Sequence, residues 1–349
     1  MTTVESASVH PYATDATGST GARGAAATPA RILDIAVGYM ASKQLFEASR
    51  IGLFASLQNG ALTIDAIAAA TGVSVRIARI LADAMSSLGL IARTDGQYSL
   101  AADAADYLVG GDSSVDLAPF LTFLSEISYP HWLQFGHTVD TSEPGDLGMT
   151  DERWATFLAG VMTYNRLHSQ MFTRFFDVTP YRNSLDYGGL AAYFSLEAMS
   201  VNPDLHTTFM FAPDFAESVT AAIQDAALTD RATVLPVDTA TGTPVGSYDL
   251  VLANHVIHRF DAEQNARIFG ALRDAALPGA RLVVLDFFLD DDEHQRRIDA
   301  LHAGEYLVID GTVVYPEAQV RGWLSDARWN PIDVIELPGS PRLLVAEAV

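Results

Sequence analysis

The sequence predicts an α/β protein in which a mostly helical winged-helix domain precedes a doubly wound sheet. Three observations predict this fold class. A helix-turn-helix pattern that ends in a hairpin occupies residues 62–100, strands alternate with helices after Pro180, and 49% of the 349 residues are hydrophobic. Strands that alternate with helices are typical of a parallel sheet covered on both faces, and the apolar content suffices for one large domain or two ordinary ones.

The first 60 residues predict a tail followed by helices. Residues 1–28 are small and polar, so ordering them would cost backbone entropy without burying apolar surface, and we expect a disordered tail. Beyond Pro29, apolar residues recur at helical spacing in two successive stretches, which predicts two core-facing helices. The residues that carry the pattern are Ile32, Ile35, Ala36, Tyr39 and Met40, then Leu45, Ile51, Leu53 and Phe54.

A winged helix-turn-helix follows. We expect a short helix after Thr63, a turn at Gly72, a longer helix to Leu88 and a hairpin around Asp95-Gly96. Such a module can read DNA through basic residues on its second helix. The whole chain, however, carries 21 basic against 43 acidic residues, a net charge of −22. That balance opposes contact with a polyanion, so packing or dimerisation is the expected role, with no nucleic acid partner.

Composition and hydropathy exclude several kinds of site and a location in the membrane. There is no cysteine, which excludes disulfides, thiolate zinc sites and cysteine nucleophiles. No apolar run reaches the roughly 18 to 20 residues of a membrane span, and the N-terminus lacks a signal-peptide pattern. We therefore expect a cytoplasmic protein without a membrane partner.

The second half of the chain predicts a seven-stranded sheet. Two long helical patterns, at 117–139 and 151–176, come before it. The final two strands are expected to pair antiparallel. The predicted strands are 184–187, 207–211, 233–236, 248–253, 281–288, 332–337 and 343–348. The predicted organisation is a tail at 1–28, a winged-helix domain at 29–110, cavity-forming helices at 111–178 and the sheet domain at 179–349.

Five segments carry a resemblance to a known family. They are LFEASRIGLFASL, FDVTPYRNSLDYGG, NPDL, SYDLVLANHVIHRFDAE and ALPGARLVVLDFFLDDD. Together they resemble the bacterial and plant class I O-methyltransferases, which place a winged-helix dimerisation domain before a Rossmann-like S-adenosylmethionine domain. The resemblance covers about residues 30–349. It implies a homodimer that encloses a small-molecule substrate.

The cofactor motif departs from that family. Leu190 and Ala192 stand where the family has glycines of a GxGxG turn, and Phe211 stands where it has a ribose-binding carboxylate. A side chain at a left-handed glycine position is strained, and a lost charged hydrogen bond weakens binding. We therefore expect no cofactor, with S-adenosylmethionine as the alternative. The resemblance implies a vestigial cofactor site at Asp186, Gly188 and Asp238.

The acid/base positions are kept. The resemblance implies that His258, after the fourth strand of the sheet, is the general base and that Asp286, at the end of the next parallel strand, orients it. A histidine–carboxylate pair fixes the imidazole tautomer and stabilises its charged form. Two departures accompany the pair: Arg259 replaces the acidic residue that usually follows the histidine, and the family's second acid is missing from the segment at Gly311.

Polar residues on the cavity-forming helices and beside the base are candidates for the substrate pocket. They are Tyr164, Asn165, His168 and His255. Helical spacing equally allows each to be a core residue. The acidic run from Asp290 to Glu293 is expected to be a solvated loop, so no metal site is predicted.

Three functions remain open. The first is an O-methyltransferase-like enzyme of bacterial polyketide or aromatic natural-product biosynthesis that no longer methylates. Its confined pocket, with His258 and Asp286, would catalyse a cyclisation, elimination or rearrangement. The second is a working O-methyltransferase that acts on a hydroxyl of a small aromatic or polyketide substrate. The third is a non-catalytic partner in a dimer.

Overall fold

The computed structural model describes residues 27–110 and 115–349. The predicted disordered tail therefore lies almost entirely outside the described residues. The chain forms two compact units, the first ending at Ser125 and the second beginning at Glu126. In the part of the chain that the structure describes, no helix combines the length and apolar character needed to cross a membrane.

The first unit contains the predicted winged helix. Thr63 accepts a hydrogen bond from Ala66 N and so caps its first helix, while Gly72 ends that helix in the left-handed conformation. Asp95 and Gly96 both have positive φ, 51° and 79°, which suits a two-residue hairpin turn. The elements are α1 (Ala30–Arg50), α2 (Leu53–Ser56), β1 (Leu62–Thr63), α3 (Ile64–Thr71), α4 (Val75–Ser87), β2 (Ile91–Thr94), β3 (Gln97–Leu100), α5 (Ala102–Tyr107) and α6 (Ala118–Phe123).

The first part of α1 does not face the core of its own unit. Ile32 is 69% exposed, Ile35 74% and Tyr39 54%, whereas Leu53 and Phe54 of α2 are buried. The prediction of two core-facing helices is thus wrong for the N-terminal half of α1. Helical spacing identifies an apolar face but does not say whether the same chain covers it.

The second unit begins with helices. The predicted helix at 117–139 is not continuous, because a π-helical turn occupies Leu124–Ser128 and a helix restarts with Pro130 in its first turn. Proline lacks the N–H needed inside a helix and fits its first turn. By contrast, the pattern at 151–176 forms one helix of 25 residues. The helices of this unit are α7 (Tyr129–Trp132), α8 (Phe135–Thr141), α9 (Asp151–Phe175), α10 (Tyr193–Val201), α11 (Pro213–Asp225), α12 (Ala262–Asp274), α13 (Arg297–Asp310) and α14 (Glu317–Asp326).

All seven predicted strands are present. They are β4 (Asn183–Tyr187), β5 (His206–Phe211), β6 (Ala232–Pro236), β7 (Tyr248–Asn254), β8 (Ala276–Asp286), β9 (Trp329–Glu336) and β10 (Arg342–Ala348). Their order in the sheet is β6-β5-β4-β7-β8-β10-β9. The neighbours from β6 to β8 pair in parallel, and β10 pairs antiparallel with both β8 and β9. This arrangement is the predicted doubly wound α/β sheet.

The strand order indicates where on the sheet a ligand would bind. From β4 the chain continues to β5 on one side, while from β7 it continues to β8 on the other, so the direction of winding reverses between β4 and β7. Ligands of open α/β sheets bind at the carboxyl edge beside such a reversal. Buried apolar side chains of β7 and β8, such as Val251 and Leu282, fix this edge from below.

Candidate functional site

His258 and Asp286 form a hydrogen-bonded pair at the carboxyl edge of the sheet. His258 lies in a short 3-10 turn (Ile257–Arg259) after β7, and Asp286 is the last residue of β8. Nδ1 of His258 lies 2.9 Å from Oδ2 of Asp286, and the side chains are 14% and 1% exposed. Burial alone would raise the pKa of Asp286, but the charge and hydrogen bond of His258 outweigh it and lower that pKa. An ionised carboxylate only accepts hydrogen bonds, so His258 donates from Nδ1, and in the neutral form of this imidazole the lone pair is on Nε2.

A second imidazole pair lies beside the first. Nδ1 of His168, on α9, is 2.9 Å from Nε2 of His255, which follows β7. Burial lowers the pKa of His255 to about 4 and also lowers that of His168. Both imidazoles are therefore neutral near pH 7. His255 has φ of 54°, in the left-handed region, and Nε2 of His168 is buried without a hydrogen-bond partner. Such strain and an unpaired polar atom are commonly found at functional sites.

Aromatic side chains surround the two pairs. The ring centres of Tyr164 and His168 are 3.9 Å apart, and those of Tyr306 and His258 are 4.6 Å apart. His302 stacks on Phe287 at 3.9 Å. Neither His302 nor Tyr306 was predicted from the sequence, although their spacing of four residues puts them on one face of α13. That periodicity was the available signal.

The proposed pocket residues are thus only partly brought together. Tyr164, His168 and His255 join the cluster around His258. Asn165 is also buried on α9, but among residues 27–110 and 115–349 no recorded ring contact or hydrogen bond joins it to these histidines. A role for Asn165 in the pocket stays a prediction.

Three of these side chains have the spacing of a possible metal site. One ligand atom each from His255, His258 and Asp286 lies within 4.8 Å of the others. Two histidines and a carboxylate suit a transition metal ion. The existing hydrogen bonds of His258 to Asp286 and of His255 to His168 account for the same cluster without an ion. The arrangement therefore fits acid/base chemistry as it stands.

The turn after β4 retains features that suit a polar ligand. Gly188 has φ of 74°, and a Cβ there would lie 3.5 Å from Thr239. Beneath the turn, burial raises the pKa of Asp186 to about 7, and its Oδ2 has no hydrogen-bond partner. Both amide atoms of Asn254, at the end of β7, are likewise buried and unpartnered. Since buried polar groups are normally paired, these atoms indicate a ligand in the crevice.

The residues that replace glycines in the cofactor motif cause less backbone strain than expected. Among the described residues, the non-glycine positions with positive φ do not include Leu190 or Ala192. The backbone strain predicted at these positions is therefore absent, because the turn uses the left-handed conformation only at Gly188. Phe211, at the end of β5, is fully buried and lies beside Gly189, so no carboxylate is available there.

Asp238 follows β6 at the same edge of the sheet. It is exposed, and its Oδ1 accepts a hydrogen bond from Ala240 N at 2.8 Å. The three predicted cofactor residues therefore lie at the carboxyl ends of β4 and β6, on either side of Phe211. The residues of this edge fit S-adenosylmethionine except at the position of Phe211.

Comparison with known proteins agrees with this geometry. Residues 33–110 match the O-methyltransferase dimerisation domain. The chain is 27% identical over 322 residues to the 3-hydroxy-5-methyl-1-naphthoate 3-O-methyltransferase of Streptomyces sahachiroi, covering 89% of this chain and 93% of that protein.

Solved structures agree in fold. The S-adenosylmethionine-dependent methyltransferase SibL has a TM-score of 0.81 at 24% identity, covering 92% of this chain and 99% of SibL. Human N-acetylserotonin methyltransferase, solved in complex with S-adenosylmethionine, has a TM-score of 0.73 at 21% identity, covering 93% of this chain and 99% of that one.

These similarities correct one prediction made from the sequence. The expectation of no cofactor is wrong, because the similar proteins are methyltransferases and two of the structures are tied to S-adenosylmethionine by name. The comparisons also give no support to a cyclisation, elimination or rearrangement. They favour the alternative of methyl transfer.

Proposed function

Because this chain belongs to the class I S-adenosylmethionine-dependent O-methyltransferases, we propose that it methylates a hydroxyl group of a small aromatic or polyketide substrate. The setting would be bacterial natural-product biosynthesis, as the similar Streptomyces enzymes suggest. The observation that carries this proposal is the His258–Asp286 pair, 2.9 Å apart at the ligand-binding edge of the sheet.

His258 acts as the general base in this proposal. Asp286 accepts a hydrogen bond from the Nδ1–H of His258, which leaves Nε2 of His258 to take the proton of the substrate hydroxyl. Asp286 then stabilises the imidazolium that forms. The partly exposed aromatic rings of Tyr164 and Tyr306 supply a surface on which a planar substrate can pack.

The cofactor would lie along the carboxyl edge from β6 to β4. Gly188 and Gly189 would allow its close approach, while Asp186, Asn254 and Asp238 offer polar atoms to it. When bound, it supplies an electrophilic methyl group. The hydrogen bond between His258 and Asp286 favours an active enzyme over a non-catalytic dimer partner.

Two measurements test the proposal. Calorimetry with S-adenosylhomocysteine, the demethylated product, is expected to show saturable binding. Deleting the gene in its producing organism should accumulate an intermediate that the purified protein and S-adenosylmethionine convert to a product heavier by one CH₂, detected by mass spectrometry. Absence of binding, together with conversion of the intermediate at unchanged mass, would favour a rearrangement and refute methyl transfer.

We further infer that the protein is a homodimer through its first unit. The dimerisation-domain match spans most of α1 and the whole winged helix. Ile32, Ile35 and Tyr39 leave an apolar face of α1 exposed in the single chain. A second copy would bury that face. Light scattering at micromolar concentration should give twice the 37.5 kDa chain mass, and a monomer mass would contradict the inference.

A further inference from the structure

Arg259 spans the crevice between β4 and β7. It is the last residue of the 3-10 turn after β7, and its Nη1 donates a hydrogen bond of 2.6 Å to the carbonyl oxygen of Gly188, in the turn after β4. These two strands are the ones between which the winding of the sheet reverses. The guanidinium therefore lies where the fold binds ligands.

The charge of Arg259 has no carboxylate partner among residues 27–110 and 115–349. The arginines that do form ion pairs within 4.0 Å in this part of the chain include Arg50, Arg93, Arg182, Arg281, Arg296, Arg321, Arg328 and Arg342. The side chain of Arg259 contacts the Gly188 carbonyl and the face of Phe260, 5.9 Å from its ring centre. In a chain with 43 acidic residues, a half-buried guanidinium without a counter-ion indicates a place for an anionic ligand group.

The order of the strands identifies that group. Asp238, after β6, matches the family's adenine contact, and Phe211, after β5, stands at its ribose contact. Continuing in the same direction along the sheet leads to β4 and β7, where the methionyl end of the cofactor would lie. That end carries the cofactor's only carboxylate. A guanidinium binds a carboxylate through two parallel hydrogen bonds.

We propose that Arg259 binds the α-carboxylate of S-adenosylmethionine and so compensates for the ribose contact missing at Phe211. This inference rests on the proposed function. It assigns a specific role to the residue that replaces the family's acidic one. The guanidinium has five N–H donors, and the Gly188 carbonyl uses one of them.

The test compares two ligands that differ in the relevant group. S-adenosylhomocysteine has the carboxylate, whereas 5′-methylthioadenosine keeps the adenosine and the thioether but lacks the whole amino-acid end. In calorimetry, Arg259→Gln should raise the Kd of S-adenosylhomocysteine about ten- to a hundredfold, the usual effect of losing a charged hydrogen bond. The Kd of 5′-methylthioadenosine should change less than about twofold. Arg259→Lys keeps the positive charge but loses the paired N–H donors of the guanidinium. Its Kd for S-adenosylhomocysteine should therefore lie between those of Arg259→Gln and the wild type.

Arg267→Gln is the matched control. Arg267 also donates to a backbone carbonyl, that of Ala240, near the same edge of the sheet. Its loss should leave the ratio of the two Kd values unchanged. Circular dichroism and melting temperature report whether each variant folds.

Two results would overturn the inference. If Arg259→Gln and Arg259→Lys leave the ratio of the Kd values unchanged, or bind S-adenosylhomocysteine more tightly, then Arg259 does not hold the carboxylate, although the proposed function survives. If the wild type binds neither ligand, the proposed function fails and this inference fails with it.

Discussion

Replacing His258 with alanine is expected to lower kcat for methyl transfer by about a hundredfold to ten-thousandfold, the usual contribution of a general base. The reason is that no other imidazole of the cluster contacts Asp286 through a hydrogen bond, among the residues that the structure describes. His255 and His168 are neutral and hydrogen-bonded to each other. Asp286→Asn should lower kcat less than His258→Ala does. In that variant His258 keeps its position but loses the negative charge that stabilises its protonated form.

The pH dependence of the rate separates a base from a structural residue. A phenolic hydroxyl ionises unaided near pH 10, so the deficit of His258→Ala should shrink as the pH rises toward that value. The Kd of S-adenosylhomocysteine should stay within about twofold of wild type. His294→Ala, which removes an exposed histidine outside the cluster, is the control and should retain the full rate. A His258→Ala enzyme with wild-type kcat near pH 7 would exclude His258 as the base.

Arg342→Met is expected to lower the free energy of unfolding by about 3–5 kcal/mol, the usual cost of removing one partner from a buried ion pair. The Arg342 side chain is 5% exposed and pairs with Asp290 at 2.5 Å and Glu317 at 3.3 Å. It also donates to the carbonyl oxygen of Phe288. Methionine fills similar volume but leaves these acceptors without their cation.

Arg328→Met is the matched control for that measurement. Arg328 pairs with Asp274 at the surface, where the side chains are 60% and 70% exposed. Exposed pairs contribute about 0–1 kcal/mol. Urea unfolding followed by circular dichroism compares the two variants in the same buffer. Equal losses in both would show that burial gives the Arg342 network no special weight. Within the acidic run at 290–293, Asp290 pairs with Arg342, whereas the other three residues are exposed, as expected of a solvated loop.

The sheet was predictable because local sequence determines its strands. The alternation of strands with helices predicted all seven strands, and His258 lies in the turn after β7 while Asp286 is the last residue of β8. Side chains that follow adjacent parallel strands meet at one edge. The roles of His258 and Asp286, by contrast, were implied by the resemblance to the O-methyltransferase family, and the sheet places the two side chains at that edge.

Features that depend on distant contacts were not predictable. Periodicity could not show that the N-terminal half of α1 lacks cover from its own unit, nor that α13 brings His302 and Tyr306 to the site. The strain expected at Leu190 and Ala192 assumed that every position of the glycine motif needs a left-handed backbone. Only the three-dimensional turn reveals that Gly188 alone adopts it there.

The register of β10 has a consequence for how the enzyme matures. Arg342, its first residue, pairs directly with Asp286, and the pairing continues to Glu347 opposite Arg281. Asp286 thus depends on a strand that is synthesised more than 50 residues after it. Domains fold from the N-terminal side during synthesis, and contacts of high sequence separation form late. The winged helix can fold while the chain is still growing, whereas the carboxylate proposed to orient His258 reaches its final surroundings only after β10 is made.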